Sequence, residues 1–271
     1  MPGLTDYRGR VAIVTGASSG IGAQLARDLA GRGMRVALVA RRADRLQTLA
    51  GELGRAGSDT MVAAADVADR AAVERTVAAV HERWRRIDLL VNNAGIGAHV
   101  LFRNQDVAEI EHMLRVNVLG VVYATKAVLP TMIAQRAGWV VNVSSIAGKL
   151  GQPDEAVYSA TKFAVSGLSE GLGYELAPLG IHVMAVHPGL IDTEMLTPEV
   201  MARMPRGAAR SMIPASAFTA ELLRALERGR RDVTIPRYMG LGAVMRLLLP
   251  GFYRRMTARI RLSVLPDVGR A

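Results

Sequence analysis

Tyr158 and Lys162 stand four residues apart in the stretch Tyr158-Ser159-Ala160-Thr161-Lys162. On a helix that spacing puts a phenol and an ammonium on one face. A phenol titrates near about 10 and is a poor base at neutral pH, but a cation beside it favours the phenolate, so the pair is a candidate for moving a proton to or from a substrate oxygen. A second chemical feature lies near the start, in Thr15-Gly16-Ala17-Ser18-Ser19-Gly20-Ile21-Gly22. Glycines let a turn tighten and let main-chain N–H groups approach a pyrophosphate, whose charge a following helix N-terminus also favours. A third is Ala40-Arg41-Arg42, two guanidiniums with no carboxylate beside them, a set suited to a phosphate. Each has a plainer reading when taken singly. A Tyr/Lys pair on a surface helix is usually solvated, and a glycine turn is often only a turn.

The elements that must position these residues follow from the pattern around them. Short apolar, β-branched runs at about 10–15, 35–40, 60–65, 87–91, 138–143, 181–186 and 232–235 alternate with stretches of helical period. Examples of the latter are Leu25 and Leu29 with Gly33 as a stop, and Val73, Val77, Val80 and Trp84. This alternation predicts an α/β fold, a doubly wound parallel sheet of about seven strands with helices on both faces. The glycine turn then falls where the first strand feeds the first helix, at the edge where parallel sheets bind nucleotides. A length of 271 residues suits one such domain, and 50% hydrophobic residues can fill its core. The stretch at about 190–230, with Pro198, Pro205 and Pro214 and with Met195, Met201, Met204 and Met212, is expected to be an insertion over the substrate.

Further motifs fall at the ends of the later runs: Asn92-Asn93-Ala94-Gly95, Ser144-Ser145 and Pro188-Gly189, with Asn117 in a helix. Together with the glycine turn and the Tyr158/Lys162 pair, in this order, they resemble the standard single-domain branch of the short-chain dehydrogenase/reductase family over residues 8 to about 195. The resemblance implies hydride transfer with Tyr158 as acid/base and Lys162 supporting it and holding a ribose. Ser145, thirteen residues before the tyrosine, would polarise the substrate carbonyl. Asn117 would hold a water on the proton path. Cofactor contacts are expected from Gly16, Ser18, Ser19, Gly20, Ile21 and Gly22, from Asp66 and Val67, from Asn93, Ala94 and Gly95, from Tyr158 and Lys162, and from Pro188, Gly189, Ile191 and Thr193. For Asp66 the plainer alternative is a helix cap.

The cofactor expected is NADP(H) rather than NAD(H), because Ala40 stands where an acidic residue would bind a ribose 2′-hydroxyl and Arg41 and Arg42 follow it. The reaction expected is interconversion of a secondary alcohol and a ketone, or an aldehyde and its alcohol, on a hydrophobic small molecule. An NAD(H)-dependent enzyme of the same mechanism is the alternative, and a non-catalytic dinucleotide-binding regulatory protein a more distant one. No metal is expected: the five histidines lack ligand spacing, and the absence of cysteine excludes thiolate zinc sites, iron–sulfur clusters and a cysteine nucleophile.

Net charge is +10, but residues 1–200 hold 20 basic and 20 acidic residues whereas 201–271 hold 14 and 4. The excess is therefore confined to the tail, where arginines interleave with Leu, Met, Phe and Tyr, a texture that argues against nucleic acid. Two accounts of the basic amphipathic extension at 238–265 compete. Either it is a helix pair over the cleft or a neighbouring subunit, or it makes peripheral contact with an anionic membrane through Leu247, Leu248, Leu249, Phe252 and Tyr253, with Arg246, Arg254, Arg255, Arg259 and Arg261 near headgroups. The N-terminus lacks the apolar run of a signal peptide, so a cytoplasmic protein is expected. The resemblance further implies a homodimer or homotetramer through helices at about 106–135 and 155–178.

Overall fold

The computed structural model describes residues 3–203 and 208–264. Met204 and Pro205, and the last residue of the 238–265 stretch, lie outside the described residues. Among the described residues nine strands form: β1 Val11–Thr15, β2 Arg35–Ala40, β3 Thr60–Ala64, β4 Leu89–Asn92, β5 Gly138–Val143, β6 Ile181–Pro188, β7 Ile191–Asp192, β8 Ile213–Pro214 and β9 Asp232–Ile235. Seven of them make one parallel sheet in the order β3-β2-β1-β4-β5-β6-β9, and β7 and β8 pair separately as a two-residue ribbon. The expected doubly wound sheet is therefore present with its seven strands. The ribbon is an addition that a two-residue strand cannot signal by periodicity.

Strands buried on both faces need apolar residues at every position, and successive residues part between two cores. Ala12 and Val14, with Val36 and Leu38, meet helices α1 (Gly20–Gly31), α2 (Ala43–Arg55) and α8 (Ala215–Glu227) through Leu25, Leu29, Leu46, Leu49 and Phe218. Val11 and Ile13, with Ala37 and Val39, meet α3 (Arg70–Trp84) and the helices that follow it through Val77, Val80, Trp84 and Val128. One of these is a continuous run, Val107–Gln135, built of α4 (Val107–Leu114), a π-helical turn Arg115–Leu119 and α5 (Gly120–Gln135). It is long and apolar enough to cross a bilayer by composition, yet Val116, Ala124, Val128 and Met132 bury against the sheet. The other is α6 (Ala156–Leu176).

After β1 the chain adds β2 and β3 on one side and then crosses to add β4, β5, β6 and β9 on the other. The carboxyl ends of β1 and β4 thus flank the switch point where an open α/β sheet leaves a crevice. The elements between β6 and α8 are short: the β7/β8 ribbon and α7 (Pro198–Arg203). The C-terminal stretch forms the expected pair of helices, α9 (Gly240–Leu248) and α10 (Pro250–Val264).

Candidate functional site

At the end of β1, Thr15 ties the crevice together. Its hydroxyl donates to the Val91 carbonyl at 3.2 Å and accepts from the N–H groups of Asn93 and Ala94, each at 3.0 Å. Asn93 returns its side-chain amide to the Thr15 carbonyl at 3.0 Å. The glycine turn is pressed against this knot. Gly16 has φ +68°, and a Cβ there would stand 2.8 Å from the Asn93 amide nitrogen and 2.9 Å from the Ala94 Cα. A Cβ on Gly22 would meet the Gly16 carbonyl oxygen at 2.3 Å. Neither position admits a side chain. Asn92, by contrast, faces inward: its amide donates to Asn142 at 2.8 Å and Thr125 at 3.1 Å, so it braces β4 against β5.

The first turn of α1 is left open to an anion. Ser19 occupies the cap position without bonding the helix N–H groups, and no acidic residue lies in the first turn. Ser19 and Ser18 instead accept from Arg42 Nη2, at 2.7 Å and 3.0 Å. Arg41 and Arg42 are both exposed at the tip of β2 and differ in their contacts: Arg42 turns to the glycine loop. Thr193 closes the far side, its methyl 3.0 Å from where a Gly20 Cβ would stand. Ile21 and Ile191 pack into the core, which leaves their main chain as the part facing the crevice. A pyrophosphate therefore fits what is present: a cradle that excludes side chains and uncapped helix N–H groups, with two hydroxyls and a guanidinium beside them.

Asp66 accepts the Ala68 N–H at 2.9 Å, whereas the cap of α3 is Asp69, which accepts from Ala72 at 3.2 Å. The helix-cap alternative for Asp66 is thereby assigned to Asp69. Val67 is buried against Gly120. Pro188 is buried at the end of β6, and Gly189 donates its N–H to Ile235 at 2.8 Å beneath the Met239 sulfur.

The proton-handling residues meet at the ends of β4 and β5. Lys162 is buried, and its Nζ donates to the Val143 carbonyl at 3.0 Å and lies 5.6 Å from the centre of the Tyr158 ring. Ser145 is within hydrogen-bond reach of the Tyr158 phenol, and its oxygen also accepts the Ala147 N–H at 3.1 Å. Asn117 sits in the π-helical turn, a local irregularity common at functional sites. Its oxygen accepts the Ile96 N–H at 2.8 Å, and its amide donates to the Ile96 carbonyl at 2.8 Å and to Thr161 at 3.1 Å. A Cβ on Gly95 would lie 3.4 Å from Lys162 Nζ, so the Asn93–Gly95 loop runs directly past the ammonium.

Burial dominates the electrostatics. It pushes the Tyr158 phenol up to about 12; the Ser145 hydrogen bond pulls down, and the nearby Glu155 carboxylate pushes up further. Burial also brings Lys162 down to about 8. Without a nicotinamide beside it, burial and Glu155 thus hold Tyr158 as a phenol; the expected shift toward the phenolate calls on Lys162 together with an oxidised nicotinamide.

Three features beside the site escaped the sequence reading. His187, fully buried, bridges the Ser145 carbonyl at 3.2 Å and Asp232 at 2.9 Å, fixing the loop behind Ser145. Burial favours protonation of Asp232, but hydrogen bonds from His187 and Lys149 hold it at about 2. Glu155 is pushed up to about 7 by burial and by Asp154, and His99 Nε2 lies 3.2 Å from its carboxylate. Glu194 reaches across the crevice to Arg42 and Arg45. All three are contacts between distant segments, and only the His187 strand carried a local signal, an apolar run flanked by histidines.

Residues 10–203 match the family model described as short chain dehydrogenase. An uncharacterized oxidoreductase of Staphylococcus saprophyticus is 37% identical over 195 residues, spanning 71% of this chain and 82% of its own. A 3-oxoacyl-[acyl-carrier-protein] reductase of Synechocystis is 36% identical over 193 residues, spanning 71% of this chain and 78% of its own. A crystal structure of a short chain dehydrogenase/reductase from Burkholderia phymatum in complex with NAD superposes with a TM-score of 0.82 at 25% identity, covering 90% of this chain and 95% of that one.

Proposed function

Because this chain belongs to the short-chain dehydrogenase/reductase family of oxidoreductases, we propose that it interconverts a secondary alcohol and a ketone, or an aldehyde and its alcohol, with Tyr158 as the proton donor and acceptor. The observation that carries this reading is the Ser145–Tyr158 contact beside the buried Lys162 at the carboxyl edge of the sheet. The nicotinamide ring, when bound, supplies or takes the hydride. The chain's residues handle the rest. Ser145 donates to the substrate oxygen and polarises it, and Tyr158, held as a phenol, gives its proton to the oxygen as negative charge develops there. In the oxidative direction the same proton returns to Tyr158. Lys162, held by the Val143 carbonyl, holds the ribose and feeds the proton relay. Asn117, with its side chain engaged by Ile96 and Thr161, keeps the β4 loop and α6 in register and holds the water of the proton path.

Support for NADP(H) over NAD(H) is the cluster of Arg42, Ser18 and Ser19 with Arg41 adjoining and no acidic residue at Ala40. Gly16, Gly20, Ile21 and Gly22 would take the pyrophosphate, Asp66 and Val67 the adenine, Asn93 to Gly95 the adenosine side, and Pro188, Gly189, Ile191 and Thr193 the nicotinamide end. A hydrophobic substrate is supported by the surroundings of Tyr158, where a Cβ on Gly97 would stand 3.7 Å from the phenol ring and 3.9 Å from the sulfur of half-exposed Met195. Assay of a panel of ketones and secondary alcohols, from small to steroid-sized, with NADPH and NADH tests the reading. A protein that binds dinucleotide yet turns over none of the panel would be a regulatory binder instead.

We extend the proposal to two surfaces of a cytoplasmic protein. Exposed Leu114, Leu119, Ile133 and Tyr174 on α4 to α6 suit a homodimer or homotetramer. On α9, Leu241, Val244 and Leu248 form one exposed helical row continued by Leu247, Leu249 and Phe252. With the exposed Arg254, Arg255 and Arg259 and no acidic residue from 238 to 264, this face suits peripheral contact with an anionic bilayer. Arg246 is excluded from that role, because it donates to the Lys149 carbonyl at 2.5 Å and stacks 5.2 Å over the Phe163 ring.

A further inference from the structure

Glu194 follows Thr193 in the segment after β7, far in sequence from the tip of β2, yet its carboxylate lies among the groups assembled there. One oxygen accepts from Arg42 Nη1 at 3.1 Å, and both accept from Arg45 Nη1, at 2.5 Å and 2.8 Å. The same Arg42 donates through Nη2 to Ser18 and Ser19. A guanidinium with two serine hydroxyls on one edge and a carboxylate on the other is already wearing an anion. Any second anion brought to Arg42 must either displace Glu194 or sit beside a like charge, and both cost affinity.

We infer that Glu194 is a specificity-determining residue, an internal anion that competes with a ribose 2′-phosphate for Arg42 and so lowers this chain's discrimination in favour of phosphorylated dinucleotides. This rests on the assignment of the Arg42, Ser18 and Ser19 cluster to the 2′-phosphate. The consequence is selective. A ribose bearing only a 2′-hydroxyl carries no charge to the cluster and does not contend with Glu194. A 2′-phosphate, with nearly two negative charges, does. Because Glu194 adjoins Thr193, whose methyl rests against Gly20, displacement of the carboxylate also frees the segment that closes the crevice. The device therefore couples the identity of the ribose substituent to the closure of that segment.

The competing account is that Glu194 is a plain anchor whose loss loosens the segment. Binding fragments without a nicotinamide separate the two, since no turnover is involved. Calorimetric titration of the full chain with 2′,5′-ADP and with 5′-ADP gives a preference ratio for wild type, Glu194→Gln and Glu194→Ala. The expected result is a rise in that ratio of about fivefold in both variants, on the scale of an exposed charge pair, through tighter 2′,5′-ADP with 5′-ADP changed less than about twofold. The gain should shrink as salt is raised, since these groups are exposed. Weakening of both fragments alike, or an unchanged ratio, overturns the inference. Failure of the NADP(H) reading shows separately, as a wild-type ratio at or below one. Thermal unfolding of each variant confirms that a folded protein was titrated.

Discussion

Ser144 and Ser145, consecutive at the end of β5, send their hydroxyls to opposite sides. Ser144 donates to the Lys162 carbonyl at 2.9 Å and lies 3.0 Å from Ser166, inside α6 packing, whereas Ser145 faces the Tyr158 phenol. The two serines are alike in type and adjacent in sequence, yet one fastens the helix that carries Tyr158 and Lys162 and the other addresses the reacting oxygen.

Their substitutions should therefore separate. Ser145→Ala should lower kcat by about a hundredfold or more with little change in unfolding, the usual scale for loss of a donor to developing charge. Ser144→Ala should cost about 1 kcal/mol of stability with kcat largely kept. Tyr158→Phe should abolish turnover while leaving binding of 2′,5′-ADP within about twofold, because it removes a proton and not the pocket. Near-normal activity in Tyr158→Phe sinks the mechanism.

The arginines at the tip of β2 should not be equivalent. Arg42→Ala removes the guanidinium that faces Ser18 and Ser19 and should raise KM for NADP(H) by about tenfold or more, while NAD(H) is affected less. Arg41→Ala, which leaves the contacts of Arg42 to the serines in place, should give a smaller change of the same sign. Steady-state kinetics with both cofactors read this directly, and equal losses with both would place the phosphate elsewhere.

Glu155 predicts a pH-dependent cost. Its folded-state value of about 7 lies above the ordinary value of 4.5, so between these limits the folded protein holds a proton that the unfolded chain has released. Stability from this group is fully present below about 4.5 and is lost as pH rises toward about 7. Chemical denaturation of Glu155→Gln should show a flatter profile than wild type across that window, and the two curves should run parallel above it. A difference that grows in the opposite direction would contradict the buried-carboxyl reading.

Asn142 is wholly buried between Asn92, whose amide it accepts at 2.8 Å, and Ser169, to which it donates at 2.9 Å. Asn142→Ala removes one hydrogen bond from each neighbour, although Asn92 keeps Thr125 and Ser169 keeps the Val165 carbonyl, and should destabilise by about 1–3 kcal/mol, read as a lower denaturation midpoint at unchanged m-value. A loss below about 0.5 kcal/mol would mean that the network is not worth its desolvation.

For the C-terminal helices, cosedimentation with anionic vesicles should exceed that with neutral ones, at about 1 kcal/mol for each arginine near the surface. Replacing Leu247, Leu248 and Phe252 by serine should abolish it. Binding that ignores both lipid charge and these substitutions leaves a second copy of the chain as the occupant, and sedimentation velocity would then show the triple variant with a smaller assembly.

What the sequence by itself determined here was local in origin. The strands could be found because a doubly wound sheet demands near-continuous apolar runs, such as 11–14 and 183–186, and the glycine turn because no other residue fits Gly16 or Gly22. Tyr158 and Lys162 share a face by helical period alone. The tertiary structure decided everything that depends on two distant segments meeting. It turned Asn92 inward and Asn93 toward Thr15, gave the helix cap to Asp69 rather than Asp66, and set the exposed Arg246 over the Phe163 ring with a hydrogen bond to the Lys149 carbonyl. It also set the protonation balance, since burial, which no spacing reveals, pushes Tyr158 up and Lys162 down. Glu194 shows the same limit: a carboxylate's effect on Arg42 depends on a separation in space that residues 152 positions apart in the chain do not encode locally.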